Sequence, residues 1–130
     1  MRRGARAQAA LEFALAMPVL LLLILGVLDA GRVVIAAVSL NNAAREGARY
    51  AAMHVYDGTC ATANCQTEAH TIISDVSLGV DPTEIGVTVS LSTGNIVGVA
   101  LSYPFHSISP LMSSTLGTVT VTANSTMLAR

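Results

Sequence analysis

The sequence predicts an α+β protein: a long N-terminal helix, a short second helix, and a small antiparallel sheet of three to four strands packed on the long helix. Three observations lead there. Residues 13–28 (FALAMPVLLLLILGVL) are an uncharged run of 16. Beyond them, apolar and polar residues keep a helical spacing as far as about residue 54. After Gly79 the period changes to two, the mark of half-buried strands. The 130 residues leave room for one small domain. Only 12% are charged, against roughly 25% in an average soluble domain, so the apolar excess has to be concentrated, and the N-terminal run is where it lies.

As a helix, 16 residues rise about 24 Å, short of the roughly 30 Å hydrocarbon core of a bilayer. The flanks therefore decide what the segment is. Three of the seven Arg, with no Lys anywhere, stand at Arg2, Arg3 and Arg6. This is the positive-inside pattern, which holds residues 1–7 in the cytoplasm and sends the remainder outward. A secretory signal would end in a small-residue cleavage site, and the best candidate, Leu28-Asp29-Ala30, is spoiled by its Asp and by Glu12 at the mouth of the run. Past Asp29 the helical pattern continues. Arg32, Ser39, Asn42, Glu46 and Arg49 mark a polar face, and Val33, Ala37, Leu40, Ala44 and Ala51 an apolar one. The division expected is residues 1–7 as a cytoplasmic leader, 8–29 as a transmembrane helix and 30–130 as an extracytoplasmic domain, with residues 30–54 continuing the helix. Pro18 lacks a backbone donor and is expected to kink the helix within the membrane.

Residues 55–65 read as a small-residue loop closed by Cys60 and Cys65. In an oxidising compartment this pair is expected to form a disulfide. With His54 and His70 the same cysteines give His-x5-Cys-x4-Cys-x4-His, a zinc set in a reducing compartment, but the spacing fits no common zinc module and no metal site is assigned. Residues 66–79 carry Ala69, Ile72, Ile73 and Val76 at helical spacing and stop at Gly79, a short second helix. The sheet occupies residues 84–128. Ile85, Val87, Val89 and Leu91 alternate with small polar residues, Thr93-Gly94 turns the chain, and Val97, Val99, Leu101, Tyr103 and Phe105 continue the alternation. A Thr/Val-rich run over 116–127 completes a meander with one apolar face, and the amphipathic half of the long helix is its expected cover.

The N-terminus carries a further pattern: basic residues, a small residue at Ala7, then Gln8-Ala9-Ala10-Leu11-Glu12-Phe13, with Glu12 fifth after the small residue. Downstream come Pro18 before a Leu-rich run, Gly26-Val27-Leu28-Asp29-Ala30-Gly31-Arg32, and Asn42-Ala43-Ala44-Arg45-Glu46-Gly47-Ala48-Arg49-Tyr50-Ala51. Near the other end stand Val99-Ala100-Leu101-Ser102-Tyr103-Pro104-Phe105 and Ser109-Pro110-Leu111. These stretches resemble the TadE-like pseudopilins of tight-adherence (Flp, type IVc) pilus systems, within the type IV pilin superfamily. The resemblance implies cleavage between Ala7 and Gln8 by a prepilin peptidase, although Ala7 stands where that family usually has Gly. It also implies a single-pass inner-membrane protein, N-in and C-out, whose partners are other pilins or pseudopilins and inner-membrane assembly proteins, with incorporation into a surface pilus. Cleavage leaves an α-amine on Gln8, and the Glu12 carboxylate of a neighbouring subunit is the natural group to neutralise it, setting axial register more than raw stability.

No catalytic constellation is present: there is no phosphate loop, no HExxH, no GxSxG, and no cofactor is called for. With residues 1–7 removed, four Arg face eight acidic side chains, which gives no basic field for nucleic acid. The competing reading is a secreted or signal-anchored binding module cleaved near residue 30, with the sheet recognising a ligand.

Overall fold

The computed structural model describes residues 2–56, 62–92, 95–109 and 117–129, and their side chains except those of 2–6, 56 and 62–65. Helix α1 spans Arg2–Tyr56 and helix α2 Thr62–Val76. A 3-10 turn, Pro82–Glu84, leads into three strands: β1 Gly86–Ser92, β2 Ile96–Phe105 and β3 Val119–Leu128. The sheet is antiparallel in the order β1-β2-β3, so the α+β class and the meander are as the sequence predicts. The register pairs Ser92 with Ile96 and Gly86 with Ser102, then Ile96 with Leu128 and Phe105 with Val119.

At 55 residues, α1 is about 80 Å long, and its two halves differ. From Ala7 to Leu28 no side chain is buried, whereas beyond that burial recurs at Asp29, Ala36, Leu40, Ala43, Ala44, Gly47, Ala48, Ala51 and Ala52. Those intervals of seven, four, three and one trace a single stripe on a 3.6-residue helix. Small side chains dominate the stripe and let the sheet and α2 approach closely. A Cβ on Gly47 would stand 2.9 Å from Ile73 Cδ1 and 3.7 Å from Val99 Cγ1, so that position holds α2 and β2 against the same turn of α1. Phe105 lies beside Arg32 and Val99 beside Gly47. Fifteen helix residues, about 22 Å, thus match six strand residues, about 20 Å, and β2 runs back along α1 nearly parallel to its axis.

The core is one layer between α1, α2 and the inner face of the sheet. Leu40, Ile73, Val97, Val99 and Leu101 are its largest fully buried aliphatic side chains, and β2 alternates buried and exposed positions from Val97 to Phe105. Because the facing residues of α1 are mostly alanines, Leu40 is the largest side chain that the helix buries completely. Truncating it to Ala should cost about 2–5 kcal/mol, read as lost protection of the β2 amides in hydrogen exchange, while Met53→Ala, half-exposed on the same helix, should change little.

Helix α2 departs from its expected bounds of 66–79. It begins at Thr62, which places Cys65 inside the helix, and ends at Val76. Its end is set from outside. Ser77 still donates to Ile73 O at 3.0 Å, but the next amide, Leu78 N, turns to Ser39 Oγ on α1 at 2.8 Å. This is why Ser39, expected on the polar face, is buried. Gly79 follows with φ 75° and reverses the chain. Asp81 then caps the 3-10 turn through Thr83 N and Thr83 Oγ1, at 3.0 and 2.7 Å. The Thr83 hydroxyl and then its amide hold the Asp81 carboxyl below its ordinary 3.8. Tyr50 of α1 donates to Glu68 Oε2 of α2 at 2.8 Å, a second polar tie between the helices.

Candidate functional site

Polar groups interrupt the apolar course of α1 at two levels. The first is its beginning. Ala7, Gln8 and Glu12 are all exposed, and the four-residue spacing places Gln8 and Glu12 one turn apart on the same face. Gln8 Nε2 donates to Glu12 Oε1 in a long contact of 3.4 Å. The Ala7–Gln8 peptide lies within the helix, and α1 also continues unbroken through Pro18, whose side chain is exposed.

The second level is Asp29, the last residue of the expected 8–29 span. Its side chain is completely buried, covered by the segment that follows β2. Oδ1 accepts the Ile108 amide at 3.1 Å and Oδ2 the Ser109 amide at 2.8 Å. Arg32, one turn along, brings Nη1 to 3.3 Å from Asp29 Oδ1 and to 3.4 Å from the His106 carbonyl, and its guanidinium lies 5.1 Å from the centre of the Phe105 ring. A buried carboxylate is tolerated only when its lone pairs are used, and two backbone amides with a guanidinium use them in charge-assisted bonds. The arrangement clasps the end of the apolar helix to the loop beyond β2 and fixes where the head begins.

This clasp is what reading the sequence missed. An acidic residue directly after 16 uncharged ones, with Arg three residues on, signals that a partner exists. The partners, however, are main-chain amides 79 and 80 residues away, and an amide has no side-chain signature. Of the remaining candidates, Cys60 and the side chain of Cys65 fall outside the described residues, and with them the expected disulfide. His54 Nδ1 lies 2.9 Å from the Tyr50 carbonyl, and its ring packs on the Tyr50 ring with centroids 3.9 Å apart. His106 Nδ1 lies 3.5 Å from Glu84 Oε2 at the surface. Among the described residues no three His, Cys, Asp or Glu side chains converge as a metal site.

The fold and its two polar levels define a class of protein: a small α+β head carried on a single helix whose free half, with an 18-residue window of mean hydropathy 2.6, is long and apolar enough to cross a membrane. The family model for TadE-like protein matches residues 7–49, so over most of its long helix this chain is similar to that family. That stretch holds Gln8, Glu12, Asp29, Arg32 and most of the alanine stripe. No curated protein and no solved structure matches the chain.

Proposed function

We propose that this chain is a structural subunit, a membrane-anchored minor pilin or pseudopilin that takes part in assembling a tight-adherence pilus. The observation that carries the reading is the TadE-like match over a helix with no buried side chain from Ala7 to Leu28 and with its second half roofed by the head. In this reading residues 1–7 stay in the cytoplasm, a prepilin peptidase cleaves between Ala7 and Gln8, residues 8–29 cross the inner membrane and the head lies outside. Other pilins or pseudopilins and the inner-membrane assembly proteins are its partners.

The competing reading, a binding module released by cleavage near residue 30, fits the clasp poorly. A cut after Ala30 would remove Asp29 and leave the Ile108 and Ser109 amides without the carboxylate that accepts them, at a buried position where an unmade hydrogen bond is costly. Mass spectrometry of the protein extracted from membranes decides between the two. The expected mature N-terminus is Gln8; an N-terminus at or near Gly31 would overturn the pilin reading.

A further inference from the structure

The solvent-facing side of α1 does not become polar where the apolar run ends. Between residues 13 and 44 the helix has only two charged side chains, Asp29 and Arg32. The first is sealed under the Ile108 and Ser109 amides and the second is bonded to it. Past them, Val34, Ile35 and Val38 are each more than half exposed. They line an open groove of about 440 Å³ whose other wall is Val76 and Leu78 at the end of α2. Among the described residues, Leu78 at 75% and Ile108 at 65% are the two most exposed large apolar side chains of the head outside α1. Ile108 sits at the level of Asp29, to which its amide is bonded, and Leu78 at the level of Ser39.

The helix dimensions say what covers this surface. The uncharged run alone, about 24 Å, underfills the hydrocarbon core, which is roughly 30 Å thick, whereas the exposed apolar stripe from Leu11 to Val38 rises about 40 Å, the thickness of a bilayer with its headgroup layers. Asp29 lies on the opposite, buried face of α1, so the exposed stripe passes the level of the clasp without meeting its carboxylate. Arg32, partly exposed just beyond the apolar run, stands at the height of the lipid phosphates, where a guanidinium is well placed.

We propose that the flank formed by Val34, Ile35, Val38, Leu78 and Ile108 lies in the outer headgroup and upper acyl layer of the bilayer, so that the head is seated on the membrane rather than held clear of it. The proposal rests on the anchor reading above. It deepens that reading by assigning a lipid-contacting surface to the head itself, and it makes the clasp the device that allows a charged residue to pass at that depth.

The chain contains no Trp, so single tryptophans report without background. The full chain carrying Leu20→Trp, Ile108→Trp, Leu78→Trp or Leu91→Trp is reconstituted into phosphatidylcholine–phosphatidylglycerol vesicles whose acyl chains are brominated either near the headgroup or near mid-chain. Leu91 pairs with Val97, far along the sheet from Phe105, and serves as the distant site. The expected result is strong loss of emission from Leu20→Trp with mid-chain bromine, and from Ile108→Trp and Leu78→Trp with bromine near the headgroup, deeper for Ile108→Trp. Leu91→Trp should be unaffected by either. Quenching at Leu20→Trp with none at Ile108→Trp and Leu78→Trp would overturn the seated head and leave the anchor standing. No quenching at any site would overturn both. Emission from Leu78→Trp that is blue-shifted but insensitive to bromine, and that reverts as the lipid-to-protein ratio rises, would assign the flank to a second copy of the chain and also overturn the proposal.

Discussion

Glu12→Ala is expected to leave expression, membrane insertion and cleavage after Ala7 intact while abolishing co-purification with pilus components and pilus-dependent adhesion. Glu12 is 17 residues from Asp29, about 25 Å along the helix, so its loss does not reach the head or the clasp. Within the chain it accepts from the Gln8 side chain through Oε1 alone among the described residues, at a long 3.4 Å, a contact worth little at an exposed position. Its consequence lies between subunits. In the proposed function, cleavage before Gln8 would create an α-amine at the head of an apolar helix, and a neighbour's carboxylate would compensate both charges while setting the height of one subunit against the next. Glu12→Gln separates the two contributions: partial assembly means that hydrogen bonding suffices, and none means that charge is required. Normal assembly by Glu12→Ala would show the carboxylate to be a headgroup-level residue without a part in assembly.

Substitution of Asp29 acts on the opposite end of the anchor. Asp29→Ala should accelerate exchange of the Ile108 and Ser109 amides by roughly tenfold or more, since each loses an acceptor at a site shielded from water. Asp29→Asn, close to isosteric, should do nearly as badly. The two carboxylate oxygens accept from two different amides, whereas an asparagine offers one acceptor and turns an NH2 group toward the other donor. Arg32, left without its counter-charge beside Phe105, should also become more mobile. Amide exchange in Asp29→Asn equal to the unaltered protein would show that the loop is held by its packing alone.

These two acidic residues show how unevenly the site was legible. The expectation for Glu12 comes from local spacing, because its neighbours in sequence, Ala7, Gln8 and the apolar run, carry the pattern. Asp29 could not be read in this way, because what it binds is backbone from a loop nearly eighty residues later. Ser39 is a similar case: its place among Arg32, Asn42 and Glu46 put it on the polar face, yet its hydroxyl accepts the Leu78 amide and is buried for that reason. The same bond ends α2 at Val76 although the apolar spacing and Gly79 suggested a later stop. The stripe the sheet covers, with Leu40, Ala44 and Ala51 buried and Val33 and Ala37 packed on the core, is the one the helical pattern marks as apolar, whereas Val34, Ile35 and Val38 form a second apolar stripe that this pattern leaves out.

By itself the sequence determined what depends on neighbours along the chain: an uncharged run of 16 residues, a helix continuing past it, strands with a period of two, and the placement of Glu12 five residues after Ala7. These follow from side-chain periodicity and desolvation, which act within a few residues. Tertiary structure alone decided where α2 ends, that Ser39 is buried, and that Asp29 is satisfied rather than exposed. Each of those outcomes depends on main-chain donors brought from distant segments, and a backbone amide is the same in every residue but proline, so no sequence pattern marks the one that will arrive.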